Sequence, residues 1–426
     1  MASYDSPPFI VDSHVHLWDE DAVPNLAWLK PGDRLYRPRT VGDYLDAVNN
    51  RSSVSSSSGS GAVAGDAASG PATGPRVGYI FVECDRKNDG GADWTHPLEE
   101  VAFLRRLVEQ EEKDKAAGED GEDGEDGEDG KRATAATRQA RCLAIVPWAP
   151  VHSGPAVLAR YLDQVRDAAG PVAWPRVRGF RYLVQDKPHG TMLTDDFVGA
   201  LRLLGQRGFA FDLGIDQHRR GRTQLAEART LVERLHAADV PEAERVVLVI
   251  NHLAKPDLTA LNPQADRGFA LWRDTMFALA KASPRHLYVK LSGLFSEMPA
   301  ALRDQPPSAF FAATYPWLAV LLAAFGPARL MFGSDWPVCT LRYSDPAPSK
   351  SSGSSDEEEE KKDASKNTST AAAAAAAEPL NAGEVGAWDK WRRIVAYLCY
   401  MASLSPDDQA MLWGGTAVQA YGLEKE

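Results

Sequence analysis

Two histidines near the N-terminus stand one residue apart, in the run DSHVH at 12–16. Because side chains alternate along an extended strand, Asp12, His14 and His16 would share one face. Two imidazoles on one face can chelate a divalent metal ion or hold one anionic oxygen. The alternative is two chance histidines, but an apolar strand normally finishes with aliphatic residues. We therefore take His14 and His16 as candidate catalytic residues and metal ligands.

Two further candidates follow apolar runs later in the chain. Asp335 comes after LMFGS and His252 comes after VLVIN. A carboxylate such as Asp335 can bind a metal and accept a proton from water. His252 can serve as an acid, a base or a hydrogen-bond donor to a carbonyl. The structural alternatives are a loop-capping aspartate and a satisfied core histidine. We expect His14, His16 and Asp335 to form the metal-binding group, and His252 to join them in catalysis.

Other polar and aromatic residues also follow apolar runs, and each can bind substrate or take part in an ion-pair network. The substrate-binding candidates are Glu83, Arg181, Lys290 and Trp336. Weaker ones of the same kind are Asp85, Tyr182, Asp212 and Ser292.

The elements that must position these residues are eight short apolar runs, separated by helix-length amphipathic runs. We predict strands at 9–16, 77–85, 141–149, 177–184, 208–215, 245–254, 286–294 and 329–336. Alternating strands and helices predict a parallel α/β sheet, and eight such units predict a closed (β/α)8 TIM barrel. A doubly wound sheet is the rival fold, but no glycine-rich phosphate loop follows the first strand. The candidate residues collect at the C-terminal ends of the strands, where TIM-barrel enzymes carry their chemistry.

Three segments are too polar or too low in complexity to form a core. We predict one barrel domain over residues 1–426, with disordered surface insertions at 50–76, 111–136 and 344–383. The formal net charge of −12 comes mostly from acidic blocks in the second and third insertions. The remainder is close to neutral, so nothing favours nucleic acid or a membrane as a partner.

The four cysteines are scattered and form no CxxC pair, which fits a reducing compartment. No secretory signal is visible, and we expect no apolar run near the roughly 18 residues that span a bilayer. These features predict a cytoplasmic enzyme acting on a small-molecule substrate. They do not predict an oligomeric state.

Several of these motifs together resemble one known family. The runs VDSHVHLWD, INHLAKPD, YVKLSGL, LMFGSDWPV and LWGGTAVQAYGL resemble the amidohydrolase-related (amidohydrolase-2) family, above all its sugar-lactonase branch. The tract at 24–45 is similar to fungal rhamnonolactonase-like members. The likeness extends from residue 9 to about residue 423 outside the insertions. It implies a metal-dependent-hydrolase barrel that opens a sugar lactone such as L-rhamnono-1,4-lactone.

The chain departs from the wider superfamily at two positions. Strand four offers Arg181 where a lysine is usual, and strand five offers Asp212 where a histidine is usual. A binuclear metal centre and decarboxylation are therefore disfavoured. The resemblance leaves either one divalent metal, zinc above others, on His14, His16 and Asp335, or a metal-free site.

For catalysis we expect Asp335 to act as general base on water. His14 and His16 would polarise the lactone carbonyl directly or through a metal. His252 would stabilise the oxyanion or protonate the leaving hydroxyl. The alternatives are another amide or ester hydrolase, a decarboxylase of this family, or a non-catalytic binding barrel.

Overall fold

The computed structural model describes residues 9–49, 76–88, 93–119, 140–259, 262–341 and 382–423. These residues include eight strands, each overlapping one of the predicted apolar runs. The strands are β1 (Phe9–Val15), β2 (Arg76–Val82), β3 (Ala140–Val146), β4 (Gly179–Tyr182), β5 (Ala210–Leu213), β6 (Leu248–Ile250), β7 (Leu287–Leu291) and β8 (Leu330–Phe332).

The strands pair in parallel and in chain order. β1 to β3 form one hydrogen-bonded group and β4 to β8 form another. Isolated parallel bridges link the two groups: Ile145 with Val177 and Trp148 with Arg181 on one side, and Val15 with Trp336 on the other. The sheet is therefore closed, and the predicted TIM barrel is confirmed.

Helices surround the strands, with short helical pieces near the C-terminus. They are α1 (Val41–Val48), α2 (Thr95–Glu119), α3 (Pro155–Ala173), α4 (Asp195–Gln206), α5 (Gln217–Leu235), α6 (Arg267–Ala282), α7 (Ala300–Arg303), α8 (Pro307–Phe325), α9 (Ala382–Met401), α10 (Pro406–Ala410) and α11 (Thr416–Ala420). A π-helical turn, Met411–Gly415, joins the last two.

Each of the three predicted insertions includes residues that the structure places in a strand or helix, so their predicted boundaries were too wide at these ends. Arg76 already belongs to β2, and residues 382–383 already belong to α9. Residues 111–119 continue helix α2, where Glu111 accepts a 2.6 Å bond from Arg176. This ion pair binds the end of the helix to the barrel. The rest of the three insertions lies outside the described residues.

Side chains on the two faces of each strand enter different cores. Inward-facing residues such as Val11, Val249 and Met331 form a small apolar layer inside the barrel, closed from below by Ala417 and Tyr421. Outward-facing residues join the much larger core between strands and helices. Because the inner apolar layer is thin, polar residues higher on the same strands fill the rest of the interior.

Helix α8 corrects one expectation. By length and composition it is apolar enough to cross a membrane, so the prediction that no run approaches that length was wrong. However, α8 packs against α6, α9 and β8, and its residues Phe310, Trp317 and Leu321 are buried. We interpret it as an outer helix of the barrel.

Candidate active site

The ends of β1 and β8 bring His14, His16 and Asp335 together. The backbone amide of Asp335 donates to the carbonyl of His14 (2.9 Å), and that of His16 donates to the carbonyl of Trp336 (2.8 Å). Across this junction, Asp335 Oδ1 lies 3.7 Å from His14 Nε2 and 3.5 Å from His16 Nε2. The three predicted ligands therefore form one buried group.

His252 joins the group from the end of β6. Its Nε2 lies 3.7 Å from Asp335 Oδ1, and its ring centre is 4.5 Å from that of His14. Its Nδ1 is 2.9 Å from the hydroxyl of Ser292. Close by, Gly293 has a φ of 70°, and a Cβ there would come within 2.3 Å of His252 Nδ1. A glycine is needed at this position to make room for the imidazole.

An unusual backbone turn follows β6. Residues 252–255 all have left-handed φ values, of 53°, 56°, 61° and 44°. Such values cost non-glycine residues roughly 1–2 kcal/mol each. Strain of this kind persists where the surrounding structure fixes it, and it is concentrated at functional sites.

The buried groups of the site have shifted pKa values. Burial lowers the pKa of His252 to about 3, although Asp335 opposes this shift. Burial, Lys290 and the neighbouring histidines also hold the pKa of His14 well below its usual value. Burial alone would raise the pKa of Asp335, but His252 and His16 lower it below the ordinary value. At neutral pH, Asp335 is ionised while His14 and His252 are neutral.

A chain of buried polar groups lies beneath His14. Lys290 Nζ donates to Asp212 Oδ2 (2.6 Å) and lies 3.3 Å from His14 Nδ1. The other oxygen of Asp212 accepts a 2.5 Å bond from the hydroxyl of Tyr421. Burial lowers the pKa of Lys290, and Asp212 opposes that shift. This chain connects the C-terminal plug of the barrel with the histidine cluster.

Arg181 forms the neighbouring wall. Its Nε donates to Glu83 Oε1 (2.6 Å), and its other nitrogen atoms approach the Glu83 carbonyl (3.0 Å) and His14 Nε2 (3.4 Å). The second carboxylate oxygen of Glu83 accepts from the backbone amide of Asp85 (2.6 Å). Burial alone would lower the pKa of Arg181, but Glu83 raises it. The pair fixes a permanent cation beside the histidines.

A cavity of about 240 Å³ opens above these groups. Among the predicted site residues, it is lined by His16, Arg181, His252 and Asp335. The other four are placed differently. His14 and Lys290 are fully buried, Glu83 is occupied by Arg181, and Trp336 packs against Tyr44 with ring centres 5.5 Å apart. Three predicted substrate-binding residues, Glu83, Lys290 and Trp336, therefore do not line the cavity but lie behind the residues that do.

The cavity wall also contains charged residues that were not singled out from the sequence as strong candidates. Glu297 is buried and accepts from Arg219 (2.9 Å) and His218 (3.1 Å), and Lys255 lies 4.0 Å away. Burial would raise the pKa of Glu297, but the hydrogen bond from His218 and the charges of Lys255 and Arg219 lower it to about 2. Asp85, a weaker candidate, also lines the cavity, and burial with Glu83 nearby raises its pKa to about 6.

Asp12 supports the site from outside the cavity. It does not share one face with His14 and His16 as predicted, because the pairing register of β1 shifts between Asp12 and Val15. It accepts hydrogen bonds from the hydroxyl of Tyr44 (2.9 Å), the indole of Trp388 (2.9 Å) and the backbone amide of Ser334 (2.8 Å). Burial raises its pKa, and these hydrogen bonds oppose that rise. The side chain therefore ties β1, β8 and α9 together directly behind the histidines.

The donor set fits one divalent metal ion. One atom each of His14, His16 and Asp335 lies within 4.8 Å of the others. The Nδ1 of His16 is 2.8 Å from the Val82 carbonyl and donates its proton there, which leaves the lone pair of Nε2 available to bind a metal. Two imidazoles and a carboxylate are ligands that Zn²⁺ accepts in catalytic sites.

Comparison with known proteins agrees with this architecture. Residues 11–368 match the amidohydrolase family, and the chain belongs to that family. The chain is 28% identical to an L-rhamnono-gamma-lactonase of Scheffersomyces stipitis over 78% of its own length and 86% of the relative. It is 31% identical to an L-fucono-1,5-lactonase of Burkholderia multivorans over 48% of its length and 61% of the relative.

A solved structure shares the fold. An amidohydrolase from Burkholderia multivorans, crystallised with bound zinc, aligns with a TM-score of 0.58 at 22% identity. The alignment covers 98% of this chain and all of the other. At this identity the likeness establishes the barrel fold alone.

Proposed function

We propose that this protein hydrolyses a sugar (aldono)lactone, such as L-rhamnono-1,4-lactone, to the aldonic acid, as a cytoplasmic enzyme of carbohydrate breakdown. The observation that carries the proposal is the position of Asp335 in the cavity wall, with three imidazole nitrogens 3.5–3.7 Å from one of its oxygens. The names of the lactonase relatives support the substrate class.

Asp335 is the general base. Because its carboxylate lines the cavity, it can accept a proton from a water molecule that attacks the lactone carbonyl. The lowered pKa keeps it ionised across the physiological range. The bond between the carbonyl carbon and the ring oxygen then breaks, and the ring oxygen takes a proton back from Asp335.

His252 stabilises the carbonyl oxygen and does not supply the proton. A group with a pKa of about 3 carries no imidazolium proton at neutral pH, but a neutral imidazole N–H still donates a hydrogen bond. Of the two roles considered for His252, its pKa therefore favours oxyanion stabilisation.

His14, His16 and Asp335 would hold a divalent metal, zinc above others. When bound, such an ion polarises a carbonyl or lowers the pKa of a bound water. Without a metal, His16, which lines the cavity, would polarise the carbonyl directly. Arg181, Arg219 and Lys255 all line the cavity and provide cationic groups for the sugar hydroxyls and for the carboxylate of the product. Glu83, Lys290 and Trp336 do not line the cavity. Glu83 holds Arg181 in place, Lys290 contacts His14, and Trp336 packs against Tyr44.

The test is acid release by the purified full-length protein, followed with a pH indicator against a panel of γ- and δ-aldonolactones. Rhamnonolactone is included, and each reaction is run with and without chelator. We expect release above the spontaneous rate. Loss of activity with chelator and its recovery with zinc would assign the metal to this cluster. Full activity in chelator would assign a metal-free reaction.

Absence of release from every lactone, with or without added metal, would refute the proposal. Amide and ester substrates would then be the next panel. An Asp335→Asn variant serves as the inactive reference. Asp163→Asn is the matched control, because Asp163 lies on α3 in an exposed pair with Arg166.

A further inference from the structure

Asn251, which precedes His252, occupies a special place in the cavity wall. Along β6, Leu248 and Ile250 face the helices, whereas Val249 faces the barrel interior. Alternation therefore directs Asn251 inward, directly above Val249. Asn251 is 1% exposed and lines the cavity. The residue therefore borders the space that a small ligand would fill.

The backbone of Asn251 is fully used, but its side chain is not. The backbone amide donates to the Leu213 carbonyl and the backbone carbonyl accepts from Ala254, both at 3.0 Å. In contrast, neither Nδ2 nor Oδ1 of the side chain has a hydrogen-bond partner among the described residues. Buried amide groups are nearly always hydrogen-bonded, so an unpartnered one calls for an explanation.

Neighbouring polar groups of the cavity do have protein partners. His252 is hydrogen-bonded to Ser292, Arg181 to Glu83, and Glu297 to Arg219. Those side chains are held in place by the protein. Among them, the Asn251 amide is the group whose hydrogen-bonding capacity is left for whatever enters the cavity.

The left-handed turn after β6 places His252 beside it. Strict alternation would send His252 outward, like Ile250, away from the cavity. The turn at 252–255 instead returns the imidazole to the interior, 3.7 Å from Asp335. Two consecutive residues thus offer polar side chains on the same side of the strand end. A pair of adjacent donors is the arrangement that binds a developing oxyanion.

We propose that Asn251 is a catalytic residue of the lactone hydrolysis proposed above, on which this inference rests, and that its Nδ2–H donates to the carbonyl oxygen beside His252. The water oxygen bonds to the carbonyl carbon, its proton passes to Asp335, and the π electrons of the carbonyl move onto the oxygen that Asn251 holds. When the carbonyl re-forms, the ring oxygen leaves and takes the proton from Asp335.

The test compares kinetics and stability of Asn251→Leu, which keeps the size and removes the amide. We expect kcat on an aldonolactone to fall by about 10²–10³-fold, with KM changed little, because the bond strengthens as the oxygen gains charge. The urea midpoint should stay equal or rise, because an unsatisfied buried amide is replaced by an apolar group. Gln206→Leu, which removes an exposed amide on α4, is the matched control.

The outcomes separate the two proposals. If the wild-type protein hydrolyses lactones and Asn251→Leu keeps kcat within threefold, Asn251 is not catalytic. Asn251 is also not catalytic if the urea midpoint of the variant falls and its loss of activity equals its unfolded fraction. In that case Asn251 stabilises the fold only. If the wild-type protein hydrolyses no lactone, the proposed function fails, and the role of Asn251 fails with it.

Discussion

Replacing Lys290 by methionine tests the buried polar chain beneath His14 most directly. Lys290 and Asp212 are both fully buried and 2.6 Å apart. The substitution keeps the volume but leaves the Asp212 carboxylate with Tyr421 as its remaining hydrogen-bond donor among the described residues. Breaking one side of a buried pair typically costs about 3–5 kcal/mol, because the remaining charge is uncompensated. We therefore expect the free energy of unfolding to fall by about this amount.

The assay is urea unfolding followed by tryptophan fluorescence, for Lys290→Met and for the double variant Asp212→Asn, Lys290→Met. The double variant should recover at least half of the loss, since it removes the orphaned charge while the new side-chain amide can still accept from Tyr421.

Arg229→Met provides the control, because Arg229 and Glu233 form an exposed pair at 2.8 Å on α5. Such pairs contribute at most about 1 kcal/mol. The reasoning is refuted if Lys290→Met is no less stable than this control. It is equally refuted if the double variant is as unstable as the single one.

Three further predictions concern the acids of the site and its support. Asp335→Asn should lower kcat by about 10²–10⁴-fold, with a melting temperature close to that of Asp163→Asn; activity above a tenth of wild type would exclude Asp335 as the base. The pKa of about 2 in Glu297 means that its stabilising contribution is present above its ordinary value of 4.5 and is lost as pH falls towards 2. Wild-type and Glu297→Gln proteins should therefore differ in urea midpoint at pH 6 and converge near pH 2; a constant difference would count against it. Trp388→Phe removes a donor from buried Asp12 and should cost about 1–3 kcal/mol on urea unfolding, and an unchanged midpoint would show that the bond contributes nothing.

The fold was predictable because its signal is repeated eight times. Each strand lies in a short apolar run, and the barrel follows from the number of such runs. The approach of His14 and His16 to Asp335 was predictable for the same reason, since closing the barrel makes the first and last strands neighbours. His252 was predicted from its position after β6, although the backbone turn that brings it inward leaves no simple pattern in the sequence.

Depth within the barrel was not predictable. Lys290 and Arg181 both follow the inward alternation, yet Lys290 is sealed under His14 whereas Arg181 reaches the cavity. The difference depends on strand register and on what plugs the barrel from below. The role of Asn251 was hidden for another reason, because a missing hydrogen-bond partner is a property of the assembled interior.

The hydrogen bonds of two buried acids, Asp12 and Asp212, also have a consequence for how the protein is made. Asp12 takes a donor from Trp388, 376 residues later, and Asp212 takes one from Tyr421, 209 residues later. During synthesis, both acids leave the ribosome long before these two donors. In a nascent barrel, these hydrogen bonds to the buried acids therefore cannot form until residues 388–421 have emerged. We expect the last step of folding to wait for the synthesis of these residues, so that ribosome-bound chains halted before residue 388 remain sensitive to protease.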